Sequence, residues 1–206
     1  MPAEIKCKKH FSNVRQQLAK GNSVRIVGLG DSLTCGWEAT SSFFDLFISG
    51  IRQAFQNATV TAVNAGVCGD TASGGARRTD ALLGYPTVLL TVQFGINDFY
   101  AGVSVEKYQA SLRTIVQKAI RCNTLPLLIT SGPLLANDQQ KGIAPYYRAI
   151  HKVANETNCP VADIADHMKN GQLDLHQLYY PDGVHPNDNG YRAMANALLE
   201  ICSALD

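Results

Sequence analysis

Val24-Arg25-Ile26-Val27-Gly28-Leu29-Gly30-Asp31-Ser32-Leu33 is the stretch on which the fold turns. Its first half is short, apolar and rich in branched side chains, the pattern of a strand buried on both faces of a parallel sheet. Two glycines and an aspartate follow, so the strand ends in a tight turn with the Ser32 hydroxyl at its mouth. Comparable runs recur at 59–64, 87–94, 126–131 and 160–164, each nearly continuous rather than alternating. Helix-period segments separate them. Ser42-Phe43-Phe44-Asp45 reads as a capping box ahead of Phe47, Ile48, Ile51, Ala54 and Phe55. Tyr108, Leu112, Ile115, Val116 and Ala119 repeat at helical spacing after Ser104, as do Tyr147, Ile150 and Ala154, and then Tyr191, Met194, Ala195, Leu198 and Cys202. Strands alternating with helices predict an α/β fold, a three-layer α/β/α sandwich on a central parallel sheet of about five strands.

The 206 residues, 46% hydrophobic and 17% charged, fit one domain spanning 1–206, with an N-terminal helix over 1–20 packed on it. Net charge is +1 and no basic stripe stands out; Lys6, Lys8 and Lys9 read as the solvated face of that helix. Nucleic acid and anionic membranes are therefore not expected partners. No run approaches the ~20 apolar residues of a transmembrane helix. Residues 1–20 lack the apolar centre of a signal peptide, which predicts a cytoplasmic protein. Six cysteines, at 7, 35, 68, 122, 159 and 202, form no C-x-x-C pair and read as reduced, mostly buried thiols.

In parallel sheets ligands bind beyond the carboxyl ends of the strands, so the chemistry should follow the strands directly. Four segments meet that condition or lie near the C-terminus. At Gly30-Asp31-Ser32-Leu33 a serine can open a helical turn with its amide facing an oxyanion. Alone, a helix cap at Asp31 or Ser32 explains this segment at least as well. At Cys68-Gly69-Asp70-Thr71 a glycine can offer an unobstructed backbone N–H, although an ordinary turn reads the same. At Gly95-Ile96-Asn97-Asp98 a carboxamide can donate a second hydrogen bond to a developing negative charge; a cap or turn is again the plainer reading. At Asp182-Gly183-Val184-His185-Pro186 an acid three residues before a histidine can fold back on the ring and fix its tautomer. Asp182, His185 and Asp188 also have the spacing of a metal site, but no second histidine lies near.

Taken together and in order, these segments resemble the SGNH hydrolases, the GDSL esterase/lipase family, over residues 24 to about 190. The resemblance implies a flavodoxin-like fold and assigns roles: Ser32 the nucleophile, His185 the base and then acid, Asp182 its orienting partner. It places the oxyanion hole at the backbone N–H groups of Ser32 and Gly69 and the side chain of Asn97. Cys68 stands where family members often carry serine, which changes a side chain and not the Gly69 amide. The set implies an acyl-enzyme route with no cofactor and no metal. Cys35 and Cys68 are rival nucleophiles, but neither holds the position of Ser32 after the strand. A dinucleotide fingerprint fails because Leu33 stands at the third glycine; no P-loop lysine follows Gly69, and G-x-S-x-G is absent.

The family covers carboxylesterases, lysophospholipases, thioesterases and carbohydrate deacetylases. Trp37, Phe99, Pro133 and Val184 are the candidate substrate-binding residues, on or beside loops at 34–41, 70–80, 98–103 and 133–146; Tyr100, Leu134 and Leu135 add apolar surface there. Arg77 and Arg78 can meet an anionic leaving group or form a solvated helix face. No amphipathic lid helix is apparent. The expected activity is cleavage of small to medium acyl esters, of small-molecule substrates. A carbohydrate O-deacetylase and a lysophospholipase or thioesterase are alternatives within the enzyme class. A non-catalytic flavodoxin-like binding module is the alternative outside it.

Overall fold

A computed structural model describes residues 11–171 and 174–204. Lys6, Lys8, Lys9, Cys7 and the first half of the expected N-terminal helix lie outside the described residues; the second half forms α1, Phe11–Ala19. Five strands follow in the predicted places: β1 (Ser23–Gly30), β2 (Thr59–Gly66), β3 (Leu89–Gln93), β4 (Leu125–Ile129) and β5 (Val161–Ala162). All neighbouring strands are parallel, in the order β2-β1-β3-β4-β5. The strand order reverses between β1 and β3, which makes that seam the expected ligand crevice.

The apolar runs explain the sheet. Ile26, Val27, Leu29, Leu89, Leu90, Val92, Leu127, Leu128 and Ile129 are buried on both sides. β2 departs from the expectation of full burial: it is the edge strand, and of its eight residues only Val60 is buried. At the other edge β5 pairs through two residues, because Ile164 already opens a helix. Helix α3 (Phe43–Ala54) packs with α1 and with α9 (Asp188–Ala204), which also meets α8 (Ile164–Asn170). The opposite layer comprises α4 (Ala72–Leu82), α6 (Val105–Arg121) and α7 (Asn137–Thr157). Short helices α2 (Ser32–Cys35) and α5 (Ile96–Tyr100) begin immediately beyond β1 and β3.

Capping follows the sequence at two of these helices. Ser42 accepts from the Asp45 amide and donates to its carboxylate, and Ser104 accepts from the Lys107 amide. Two segments expected to be loops are largely helical. Residues 70–80 run into α4, whose Gly74 and Gly75 lower helix propensity but let it lie against Asp70 and the Phe94 ring. Residues 133–146 include the start of α7, which continues through Pro145 although that residue has no N–H to donate. Among the described residues, no helix is long and apolar enough to cross a membrane.

The carboxyl ends of three strands finish level, with Gly30 of β1 between Gly66 of β2 and Gln93 of β3. There the chain turns from β1 into α2 with no room for a side chain on Gly30. A Cβ would lie 2.0 Å from Thr34 Oγ1 and 2.7 Å from the Gln93 carbonyl oxygen. Gly30→Ala must therefore push α2 off the sheet, at a cost of about 3 kcal/mol, the scale of overpacking a close-packed core. Urea unfolding checks this: the midpoint should fall clearly, and an unchanged midpoint would show that the end of β1 is looser than described.

Candidate active site

Ser32 is the first residue of α2, so its amide has no acceptor within that helix. Asp31 before it supplies the N-cap: its Oδ1 accepts from the Leu33 amide at 3.0 Å and its Oδ2 from Gln93 Nε2 at 3.3 Å. Thr34 donates to Gln93 Oε1 at 3.0 Å and completes a buried polar chain behind the serine. The capping and the nucleophile readings of this segment are thus compatible, because neighbouring residues carry them. Burial pushes the Asp31 carboxyl up to about 7 despite the donors from Leu33 and Gln93.

Asp182 and His185 reach this serine from a turn ahead of α9. Ser32 Oγ lies 3.0 Å from His185 Nε2, and His185 Nδ1 lies 2.7 Å from Asp182 Oδ2. A carboxylate on Nδ1 puts the ring proton there, leaving Nε2 to accept from the serine hydroxyl. The other Asp182 oxygen accepts from the amides of Val184 and His185, each at 2.9 Å. Burial alone would raise the Asp182 carboxyl, but these donors and the nearby imidazole outweigh it and hold it below its ordinary value. It therefore remains ionised at neutral pH. Asp188, the third member of the possible metal spacing, is turned elsewhere: its carboxylate accepts from the Thr40 amide and hydroxyl at 2.8 and 3.0 Å.

Gly69 and Asn97, which follow β2 and β3, are tied together through Asp70. Gly69 has φ +76, a left-handed conformation that strains any residue with a Cβ. Asn97 Nδ2 donates one proton to the Asp70 carbonyl at 3.0 Å, which leaves its second N–H available. In return both carboxylate oxygens of Asp98 accept from the Ala72 amide, at 3.1 and 3.3 Å. Thr71, the N-cap of α4, makes no side-chain cap bond, so Asp98 supplies that acceptor from α5. Two consecutive residues thus lock the Gly69 turn against α5. Burial pushes Asp98 up to about 6.

The expected pocket residues divide into two pairs. Trp37 stacks on His185, with ring centroids 4.2 Å apart, and Val184 adjoins the histidine. Phe99 packs between Tyr100, Tyr146 and Gly142, and Pro133 is buried. Arg78 is structural: it pairs with Asp70 at 3.0 Å and donates to the carbonyls of Ala65 and Gly30, tying β1 and β2 together. Arg77 reaches Ser73 on its own helix. Cys35, Cys68 and Cys122 are exposed free thiols, against the expectation of mostly buried cysteines. Desolvation, and then the neighbouring Cys35, push the Cys68 thiol up, which disfavours the thiolate a Cys nucleophile needs. The cap expected at Asp31 or Ser32 falls on Asp31, whereas Gln93 and the Asp70 carbonyl are additions of the structure. Only Asp31 had a visible signal, its place directly before the serine.

The chain matches the sequence model of the GDSL-like Lipase/Acylhydrolase family over residues 29–193 and belongs to that family. It is a carboxylic ester hydrolase of the GDSL type, an esterase/acylhydrolase on the α/β fold of that family. A relative from Escherichia coli K12, named Thioesterase 1/protease 1/lysophospholipase L1, is 30% identical over 160 residues, 77% of this chain and 74% of that one. Among solved structures, a two-domain esterase active on acetylated mannans superposes with TM-score 0.81 at 22% identity. The match covers 97% of this chain but spans only about half, 53%, of that protein. The acetylxylan esterase Axe2 from Geobacillus stearothermophilus superposes with TM-score 0.75 at 19% identity, over 87% of this chain and 94% of that one.

The buried Asp31 sets a pH dependence. Its carboxyl titrates near 7 in the folded chain and near 3.8 when unfolded, so between these values only the folded state holds the proton. Its contribution to stability therefore falls as pH rises through that window. Asparagine caps helices well and carries no charge, and Gln93 can rotate its amide to match it. Asp31→Asn should gain stability relative to the native chain between pH 4.5 and 7.5, read by urea unfolding at both. The difference cancels the opposite contribution of Asp182, and a pH-independent difference would refute the raised titration.

Proposed function

We propose that Ser32 is the nucleophile of this hydrolase, His185 its general base and acid, and Asp182 the carboxylate that orients the imidazole. The 3.0 Å approach of Ser32 Oγ to His185 Nε2, with Asp182 on the far nitrogen, carries this reading. Ser32 Oγ attacks the acyl carbon while its proton passes to Nε2, since an unassisted serine hydroxyl is a poor nucleophile at neutral pH. The carbonyl oxygen becomes an oxyanion facing the amides of Ser32 and Gly69 and the free N–H of Asn97. Collapse expels the alcohol, which takes the proton from Nε2 and leaves an acyl group on Ser32. Nε2 then deprotonates a water molecule, and the same steps in reverse release the acid. Every proton moved in this cycle has a donor and an acceptor among these groups.

As substrates we propose carboxylic esters of small to medium acyl groups. Trp37 and Val184 beside His185 offer a limited apolar wall, enough for a short acyl chain. The esterases of similar fold act on acetylated mannans and acetylxylan, and the E. coli relative is named a thioesterase and lysophospholipase. A panel of p-nitrophenyl esters of graded length, an acetylated xylooligosaccharide, a lysophospholipid and an acyl thioester separates these classes. Highest kcat/KM on acetyl to octanoyl esters supports the proposal; highest kcat/KM on the acetylated sugar makes the chain a deacetylase.

Ser32→Ala should abolish hydrolysis across the panel while lowering stability by only about 1 kcal/mol, the scale of one lost hydrogen bond. Retained turnover would refute the nucleophile assignment. Asn97→Ala should lower kcat roughly 10²-fold or more with KM little changed, the effect of losing one oxyanion donor. A rise in KM alone would make Asn97 a substrate clamp instead.

A further inference from the structure

We infer that Trp37 is a positioning residue for His185, holding the imidazole plane against Ser32; this rests on the proposed roles of Ser32 and His185. The indole and imidazole centroids are 4.2 Å apart and the rings are tilted by 38°. The Asp182 bond to Nδ1 is a single hydrogen bond at one corner of the imidazole. Such a bond fixes the tautomer, but the χ2 torsion is broad for histidine, so the ring can still tilt about it. A flat ring packed on one face blocks that tilt. Nε2 then stays in line with Ser32 Oγ in the resting state and during the proton transfer.

Trp37 is itself held, through its backbone and through its ring. Its own amide donates to the Ser32 carbonyl oxygen at 3.1 Å, so its backbone is anchored on the proposed nucleophile. Tyr180 packs edge-on against it, with centroids 6.1 Å apart and planes at 89°. The Tyr180 hydroxyl donates to the Glu38 carbonyl at 2.8 Å, while its amide donates to the His185 carbonyl at 2.9 Å. Tyr180 therefore joins the Trp37 loop to the His185 loop. Farther along, Thr40 is clamped by both carboxylate oxygens of Asp188 at the start of α9. These links make the 37–40 loop a rigid backing for the histidine.

The same contact acts on charge. His185 becomes positive once it takes the serine proton, and a cation over an indole face is attracted by the ring quadrupole. The interaction is stronger in the charged transition state than in the neutral resting state, so its loss should appear in kcat. Titratable groups near the two rings include Asp182 at Nδ1, Tyr180 across the indole edge, Cys35 and Glu38 on the Trp37 segment, and Tyr100, which feels the Asp182 charge. Of these, Asp182 alone is bonded to the imidazole.

Three enzymes and one spectroscopic control test the inference: the native chain, Trp37→Phe and Trp37→Leu on one short acyl ester, and His185→Gln for emission. Trp37→Leu should lower kcat roughly tenfold with KM within about twofold, and Trp37→Phe, which restores a flat ring, should recover most of kcat. A raised KM with kcat unchanged would leave the indole a wall for substrate and nothing more, and equal losses in both variants would deny the role of the ring face. Either result overturns the inference. Trp37 is the only tryptophan in the chain, so native fluorescence reports this contact even if a variant folds poorly. Protonating the imidazole should quench the emission, and His185→Gln should remove that quench. Emission that ignores pH, or a quench that persists in His185→Gln, also overturns it. Inactive Ser32→Ala beside fully active Trp37→Leu would sink this inference alone, whereas active Ser32→Ala would sink the reading beneath it.

Discussion

The missing side chain of Gly30 is the constraint on which the rest of the site depends. Because nothing projects from that residue, α2 can turn at once out of β1, with Thr34 folded back over Gly30 and against Gln93. That close approach sets where Ser32 lies and leaves its amide without an acceptor inside α2. It also sets where Trp37 begins, since the Trp37 and Gly36 amides both end on the Ser32 carbonyl. With β1 between β2 and β3 at the point where strand order reverses, the segments carrying Gly69 and Asn97 leave the sheet on either side of it. The geometry of the proposed oxyanion hole is then completed locally, by Asn97 and Asp98 bonding to the turn that precedes α4.

A second feature is the polarity stored behind the serine. Asp31 is fully buried and its partners are neutral donors, so the site carries a carboxyl that burial pushes toward the protonated form. On the solvent side Asp182 shows the opposite balance, with two amides and an imidazole holding it ionised. The two carboxyls divide the work: one caps the start of α2, the other holds the His185 imidazole by Nδ1. Their environments, and not their identities, decide which is which.

Most of the frame was legible because a parallel sheet covered by helices forces long apolar runs, and those at β1, β3 and β4 stand out in the chain. β2 was found as an element, but its exposed edge was not, since Thr59 to Gly66 is bounded by the same kind of residues as a buried strand. The helix α4 was hidden by Gly74 and Gly75, which lower intrinsic propensity and are present because the helix packs close to Asp70 and Phe94. At the site, the four segments carrying Ser32, Gly69, Asn97 and His185 could be listed from their order along the chain. What could not be read was how they are held. The Thr40–Asp188 clamp and the contacts of Trp37 with Tyr180 and His185 join residues about 150 positions apart, and no local periodicity records such pairs.

The central claim is that Ser32, and no other side chain, is made nucleophilic by its contact with His185. Mass spectrometry of the chain treated with a fluorophosphonate tests it most directly. One adduct should form, on the peptide that carries Ser32; it should vanish in Ser32→Ala and form far more slowly in His185→Gln. An adduct on Cys35, Cys68 or another serine, or labelling of Ser32 at the native rate without His185, would contradict it.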